Sequence, residues 1–307
     1  MEQVERALQH RMGTSVRLMR AVPVGGGSIN RAWRLETTAG AFFLKSRDDA
    51  PPNFFGCEAD GLDRLRQAGA DVPPVVAVQD VLEPKAASAA KNGTLPDVQE
   101  GVPFLLLEWI EPGRWTSSRM RALGRQLAAV HRVEASTYGL ASDNFIGLLP
   151  QPNRPADDWV TFYRERRLGP QYETGVQRGR IATGSYRAKA MERLLARLER
   201  WLPKHPPASV LHGDLWSGNV LAGADGRNVF LDPAVYAGHR EVDVAFSEYF
   251  GGFSREFYEG YAEVYPLESE YDERKPLYQL YYILVHLNLF GEAYGPAVDA
   301  VLRRYVG

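Results

Sequence analysis

The spacing of apolar positions divides the chain near residue 110 into a strand-rich first part and a helix-rich second part. Met1 to Met12 carries a short helical pattern ending at Gly13. Ser15 to Pro23 and Arg31 to Glu36 read as strands, with Gly25-Gly26-Gly27 in the connection between them. Ala41 to Ser46 is a third strand after the turn at Ala39-Gly40. Phe54 to Gln67 has helical spacing (Phe55, Leu62, Leu65) and stops at Gly69, a C-cap residue. Val75 to Leu82 is a strand, and Glu83 to Gly101, rich in Ala, Asn, Gly and Lys, reads as a loop insertion. Pro103 to Ile110 is a dense apolar strand running into Glu108-Trp109-Ile110-Glu111-Pro112-Gly113.

From Thr116 the character changes. Helical patterns cover Ser118 to Arg132, Trp159 to Arg167, Tyr186 to Trp201, Ser254 to Val264, Pro276 to Phe290 and Pro296 to Tyr305. Two short strand-like pieces, Asn219 to Leu221 and Asn228 to Leu231, interrupt them. There is no internal repeat and no long low-complexity tract. The pattern predicts an α+β, two-lobe arrangement. Residues 1–110 would form a small antiparallel sheet with one main helix, and residues 111–307 a larger, mainly helical lobe. Ligand clefts commonly form at such junctions.

Charge and composition remove several function classes. With 36 basic and 38 acidic side chains the net charge is −2, so no global basic excess points to nucleic acid or an anionic membrane as partner. The local cluster Arg164, Arg166 and Arg167 is explained as a solvated helix face. Cys57 is the single cysteine, which excludes an intramolecular disulfide and a thiolate metal cluster and suits a reducing cytoplasm. Met1 to His10, with Glu2, Glu5 and Arg6, lacks the apolar core of a signal peptide. Leu277 to Phe290 contains Gln279, His286 and Asn288 and is too short to span a bilayer; it reads as a buried core helix. The expectation is a soluble, cytoplasmic protein.

One segment carries chemistry: His212-Gly213-Asp214-Leu215-Trp216-Ser217-Gly218-Asn219. Asp214 and Asn219 have the Asp-x-x-x-x-Asn spacing of a kinase catalytic loop, in which the Asp orients or accepts the acceptor proton and the Asn holds a metal ion. Val210-Leu211 leads in and Val220-Leu221 leads out. Thirteen residues past Asn219, Asp232 ends the apolar run Val229-Phe230-Leu231, where a second metal-holding group is expected. Turn residues satisfying their own backbone would account for Asp214 and Asn219 alone. They would not account for two loops with strands on both sides.

The first part offers a phosphate grip. Gly25, Gly26 and Gly27, followed by Ser28-Ile29-Asn30, let backbone N–H groups approach phosphates, although three glycines also make an ordinary hairpin turn. Asn30 stands where G-x-G-x-x-G has its third glycine, and Asn tolerates the left-handed backbone. Lys45 follows Phe42-Phe43-Leu44 on the third strand, the position from which a kinase lysine reaches the α/β-phosphates, with Glu58 on the next helix as its ion-pair partner. Either residue alone would pass as an ordinary surface charge. The backbone of Glu108-Trp109-Ile110 would meet the adenine edge, through the Glu108 carbonyl and the Ile110 N–H. His212 beside Asp214 does not make a hydrolase, because no Gly-x-Ser-x-Gly elbow supplies a nucleophile. It is expected to buttress the loop through Asp243 on the following helix. The six histidines show no zinc spacing.

The sequence resembles the fructosamine/ketosamine-3-kinase family, related to aminoglycoside phosphotransferases and choline kinases. The resemblance rests on Gly25-Gly26-Gly27-Ser28-Ile29-Asn30, Asp143-Asn144-Phe145-Ile146-Gly147, Pro150-Gln151-Pro152-Asn153, Asp158-Trp159, Arg167-Leu168-Gly169-Pro170 and the octet at His212, and runs from about Val4 to the C-terminus. It implies a protein-kinase-like fold and ATP- and Mg²⁺-dependent phosphorylation of the O3 hydroxyl of a small or protein-linked glycated amine, in a deglycation role. By the same match Asp214 is the base, Asn219 and Asp232 are Mg²⁺ ligands, Lys45 and Glu58 are the phosphate-grip pair, and Trp216 and Asn144 contact the sugar. Ser28 stands where some members carry a redox-sensitive cysteine, so that switch is not expected. The residues themselves also leave open a kinase for an aminoglycoside or amino alcohol, and a non-catalytic nucleotide-binding protein of kinase fold.

Overall fold

The structure, a computed structural model, describes residues 1–25, 29–80 and 101–307. The chain forms two compact units that are not consecutive in sequence. The first comprises Met1–Arg64, Asp71–Arg114 and Leu221–Leu231, and the second Leu65–Ala70, Trp115–Val220 and Asp232–Gly307.

In the first unit, α1 (Glu2–Met12) ends at Gly13, whose φ of 67° is the left-handed C-cap conformation and whose N–H returns to Gln9 O at 2.9 Å. A five-stranded antiparallel sheet has the order β1-β2-β3-β5-β4, from β1 (Leu18–Pro23), β2 (Arg31–Thr37), β3 (Gly40–Ser46), β4 (Val75–Gln79) and β5 (Phe104–Glu108). Leu35, Phe42, Leu44, Phe104 and Leu106 point from one face into a core closed by Val4 and Leu8 of α1. Alternate residues of a strand share a face, which puts these side chains together. The helix α2 (Phe54–Gln67) begins where Asp80, just past β4, accepts from Phe55 N at 3.0 Å and Gly56 N at 2.5 Å. A carboxylate there satisfies first-turn N–H groups and meets the positive end of the helix. Burial nonetheless raises the Asp80 pKa above its ordinary value, against those two bonds. The expected continuation of β4 to Leu82 and the insertion beginning at Glu83 lie outside the described residues.

The unit is completed by a hairpin from late in the chain, β9 (Val220–Ala222) and β10 (Asn228–Phe230). Gly113 N donates to Ala222 O at 2.6 Å, Ala224 N to Glu111 O at 2.7 Å and Phe230 N to Asp71 O at 2.8 Å. The segment after β5 is thereby stitched to the strands that follow Asn219.

The second unit is mainly helical, with α3 (Ser117–His131), α4 (Trp159–Tyr163), α5 (Gly169–Gln177), α6 (Tyr186–Leu195), α7 (Glu241–Tyr249), α8 (Arg255–Val264), α9 (Tyr271–Phe290) and α10 (Gly295–Val306). Thr116, Asp158 and Ser185 cap α3, α4 and α6 with side-chain oxygens. Two antiparallel strand pairs of three or four residues add to the expected pattern: β6 (Asn144–Ile146) with β7 (Leu149–Gln151), and β8 (Ala208–Leu211), of which Val210-Leu211 was expected as the approach to the octet, with β11 (Tyr236–His239).

Three helices differ from expectation: the one expected from Tyr186 to Trp201 ends at Leu195, and the other two involve prolines. The helix starting at Trp159 does not stop at Arg167 but passes through a π turn, Arg164–Leu168, into α5. Pro170 has no N–H for the Arg166 carbonyl, and Arg167 Nη1 donates to that carbonyl instead at 2.8 Å. Arg167 is accordingly fully buried, not on a solvated face. Likewise α9 begins at Tyr271 rather than Pro276, so Pro276 sits inside the helix. The carbonyl it leaves without an N–H, that of Asp272, lies 3.5 Å from Arg304 Nη2 of α10.

The helices α3 and α8 cross through glycines. A Cβ on Gly124 would lie 1.9 Å from Phe257 O, and one on Gly260 would lie 2.1 Å from Arg121 O. Neither obstacle is a movable side chain, so the helices would have to separate. Gly124→Ala is expected to destabilise by about 1–3 kcal/mol, read as a lowered thermal midpoint, despite the better helix propensity of alanine.

Candidate active site

In the second unit, β8 delivers the chain to His212, where Asp243 of α7 takes over. Its buried carboxylate accepts from His212 N at 2.6 Å and from Gly213 N at 2.9 Å. The contact expected of His212 therefore exists, but through its backbone. The His212 ring accepts instead from Asp214 N, at Nδ1, 3.2 Å away. Gly213 has φ 81°, and a Cβ there would lie 2.0 Å from Ala234 O, so the turn demands glycine. Tyr282 OH donates to Gly213 O at 2.8 Å.

Asp243 has a third donor. His131 Nε2 lies 3.1 Å from Oδ2, and His131 Nδ1 lies 2.8 Å from Tyr261 OH. A neutral ring donating from Nε2 to the carboxylate accepts at Nδ1 from the tyrosine hydroxyl. Burial holds the His131 pKa below its ordinary value of 6.5 and outweighs the pull of Asp243 in the other direction.

Asp214 and Asn219 are brought together. Asn219 Nδ2 donates to Asp214 O at 2.8 Å and to Asp214 Oδ2 at 3.1 Å. The carboxamide oxygen is thus the end not bonded to Asp214, and it is an oxygen donor suited to a hard cation. Asp232 is exposed and has φ 51°, in the left-handed region, immediately before Pro233. Two residues on, Ala234 N donates to His212 O at 2.9 Å, tying the Asp232 segment to the octet. The Trp216 ring covers Gly218, where a Cβ would lie 2.2 Å from it, and meets Phe250 edge-on at 6.2 Å between centroids. Asn144 lies in β6, buried; its Nδ2 donates to Val235 O at 2.9 Å while its oxygen accepts from Gln151 and Asn153.

In the first unit, Lys45 of β3 and Glu58 of α2 form a 2.7 Å ion pair with only 6% and 13% of the side chains exposed. Glu108 ends β5 and donates its N–H to Pro74 O at 3.0 Å, and Trp109 N reaches Ala41 O at 3.3 Å. Among the described residues, Ile110 N has no backbone acceptor. Arg34 lies over the Trp109 ring at 5.0 Å. Gly25 has open space around it and Asn30 is half-buried; Gly26, Gly27 and Ser28 lie outside the described residues.

Across residues 1–307 the chain matches the family model described as "Fructosamine kinase". The chain belongs to this family. A protein of Enterococcus faecium, provisionally assigned as a ketoamine kinase, is 39% identical over 290 residues, covering 93% of this chain and 95% of that one. The chloroplastic protein-ribulosamine 3-kinase of Oryza sativa subsp. indica is 36% identical, covering 96% of this chain and 81% of its own. Among solved structures, one from Thermobifida fusca, provisionally assigned as a fructosamine-3-kinase, has a TM-score of 0.82 at 31% identity, with 99% of this chain and 98% of that one covered. Aminoglycoside phosphotransferase APH(4)-Ia superposes with a TM-score of 0.59 at 16% identity, which shows the shared α+β, protein-kinase-like fold. Among the described residues, no helix is long and apolar enough to cross a membrane.

Sequence reading passed over His131, Tyr261, Gln151 and Asn153 as site-supporting residues. For His131 the available signal was a polar ring on the apolar face of α3, beside Leu127, Ala128 and Val130.

Neutral burial of His131 has a consequence for pH dependence. The unfolded chain binds a proton at His131 near pH 6.5 and the folded chain does not, so this residue's contribution is present above that pH and lost as pH falls through it. Thermal midpoints measured from pH 7.5 to 5.5 should decline, and His131→Gln should make that decline shallower. An equal slope in both proteins would contradict the neutral assignment.

Proposed function

We propose that the protein is an ATP-dependent kinase acting on the O3 hydroxyl of a ketosamine, the glycated form of an amine. The observation that carries this reading is the Asp214 carboxylate bonded to Asn219 inside the octet, in a chain that matches the fructosamine kinase family throughout its length. Relatives named for ketoamines and ribulosamines support the acceptor class. Phosphorylation at O3 would let the adduct decompose and release the amine, which is a deglycation role.

In this reading, residues 1–110 hold the nucleotide. Lys45, kept charged and oriented by Glu58, meets the α/β-phosphates, and the run Gly25, Gly26, Gly27, Ser28 and Asn30 offers backbone N–H groups to them. The Glu108 carbonyl and Ile110 N–H take the adenine edge, with Trp109 between them. Residues 111–307 serve the acceptor. Asp214 orients the sugar hydroxyl and takes its proton as the new O–P bond forms and the bond from the γ-phosphorus to the β,γ-bridging oxygen breaks, releasing ADP. Trp216 offers an aromatic face to the sugar. The Asn219 carboxamide oxygen and the exposed Asp232 carboxylate form an all-oxygen donor set, which fits Mg²⁺ better than a softer ion. Bound there, Mg²⁺ would neutralise charge on the phosphates.

ADP release with a ribulosamine or fructosamine of lysine tests the reading, with an aminoglycoside and an amino alcohol as competing acceptors. Asp214→Asn should lower kcat by at least about 100-fold, the scale of general-base catalysis, while leaving ATP affinity nearly intact. Full activity in that variant would remove Asp214 from the mechanism. Turnover confined to the aminoglycoside would replace the acceptor.

A further inference from the structure

Asp232 is held in a conformation its sequence disfavours. Its φ of 51° is uncommon for a residue with a Cβ, and Pro233 restricts the preceding residue toward extended backbone. Such a conformation persists only where the surroundings over-determine it. The segment just downstream supplies the constraint. Gln151 Nε2 donates to Ala234 O at 3.1 Å and Asn144 Nδ2 donates to Val235 O at 2.9 Å, both buried.

These two carboxamides are themselves locked. Gln151 Nε2 and Asn153 Nδ2 both donate to Asn144 Oδ1, at 2.8 and 2.7 Å. Gln151 Oε1 accepts from Tyr281 OH at 2.7 Å, and Asn153 Oδ1 accepts from Arg167 Nη2 at 2.7 Å. Each amide can therefore be placed only one way round, since reversing Asn144 or Asn153 would set N–H against N–H and reversing Gln151 would set its oxygen against those of Asn144 and Ala234. Arg167 anchors the chain from the π turn, with its guanidinium 3.7 Å from the centre of the Tyr236 ring. The β6–β7 pairing, Asn144 opposite Gln151, sets the two clamping side chains side by side.

We infer that Asn144 and Gln151 are positioning residues for Asp232, clamping the Ala234 and Val235 carbonyls so that the Asp232 carboxylate is presented to the metal. This rests on the proposal that Asp232 is a metal ligand and adds the device that aims it. It also gives Asn144 a role different from sugar contact: its carboxamide faces the backbone beyond Asp232.

Mn²⁺ binding to the protein·ADP complex, followed by the electron paramagnetic resonance of free Mn²⁺, tests the inference without turnover. Gln151→Met and Asn144→Ala should weaken Mn²⁺ binding by about 10- to 100-fold, the usual effect of removing a group that orients a metal ligand. The KM for the ketosamine should stay near that of the parent. Gln151→Glu, which keeps the shape and the acceptor for Tyr281, covers the case in which Gln151→Met does not fold. Asp232→Asn is the control. If it weakens Mn²⁺ binding while the clamp variants do not, the positioning role is overturned. A raised ketosamine KM in Asn144→Ala, with Mn²⁺ binding unchanged, returns Asn144 to the sugar side. If Asp232→Asn itself leaves Mn²⁺ binding unchanged, the underlying metal assignment is what fails.

Discussion

The buried carboxylate of Asp243 is the interaction on which the rest of the site depends. A carboxylate away from water is costly unless its lone pairs are filled. Here three donors fill them: the N–H groups of His212 and Gly213 and the ring of His131. Charge-assisted bonds of this kind are short and directional. They fix two consecutive peptide units, so the next residue, Asp214, leaves the turn in a determined direction. Gly213 follows as a requirement, because the turn that satisfies both bonds brings its α-carbon against the Ala234 carbonyl.

The second unit then shows the same solution at separate places: a backbone group displaced from its regular partner is met by a designated side chain. Pro170 leaves the Arg166 carbonyl to Arg167, and Pro276 leaves the Asp272 carbonyl to Arg304. Past Asp232-Pro233, the Ala234 and Val235 carbonyls go to Gln151 and Asn144. Buried carbonyls must be satisfied somewhere. In the first and third cases the side chains belong to one network, so the π turn at Arg167 and the left-handed Asp232 are mechanically connected.

How much of this was legible in the sequence depended on range. The five strands of the first sheet and α2 followed from local apolar runs and helical spacing between glycine-marked turns, and β2, β3 and β5 do bury Leu35, Phe42, Leu44, Phe104 and Leu106 in one core. The Asp214–Asn219 spacing and the Lys45–Glu58 pairing were readable because a known chemistry demands those types in that order. The strands β6, β7 and β11 were not, and of β8 only Val210-Leu211 was. Strands of three or four residues hold little of a period-2 pattern and are legible only where an apolar run marks them, as at β9 and β10. Nor was the placing of Asn144, Gln151, Asn153 and Arg167 within one network: that depends on a strand pairing and a π turn caused by Pro170, neither of which leaves a periodic trace. Arg167 beside Arg164 and Arg166 looked like solvated charge for the same reason. The fate of Met1–Met12, ending at Gly13, was by contrast a matter of one cap.

The pair Lys45–Glu58 belongs to a different physical category from the amide network. Two opposite charges taken out of water seldom add to stability over apolar residues of the same size. The amide network, in contrast, satisfies groups that the fold would otherwise strand. The presence of a buried ion pair between β3 and α2, in a unit whose buried residues are mostly apolar, therefore calls for a reason beyond folding. The proposed contact of Lys45 with phosphate supplies one. With Glu58 at 2.7 Å the side chain is held in one place. Under the proposed function, Glu58 fixes the position of Lys45 before phosphate binds, so that little reorganisation is needed.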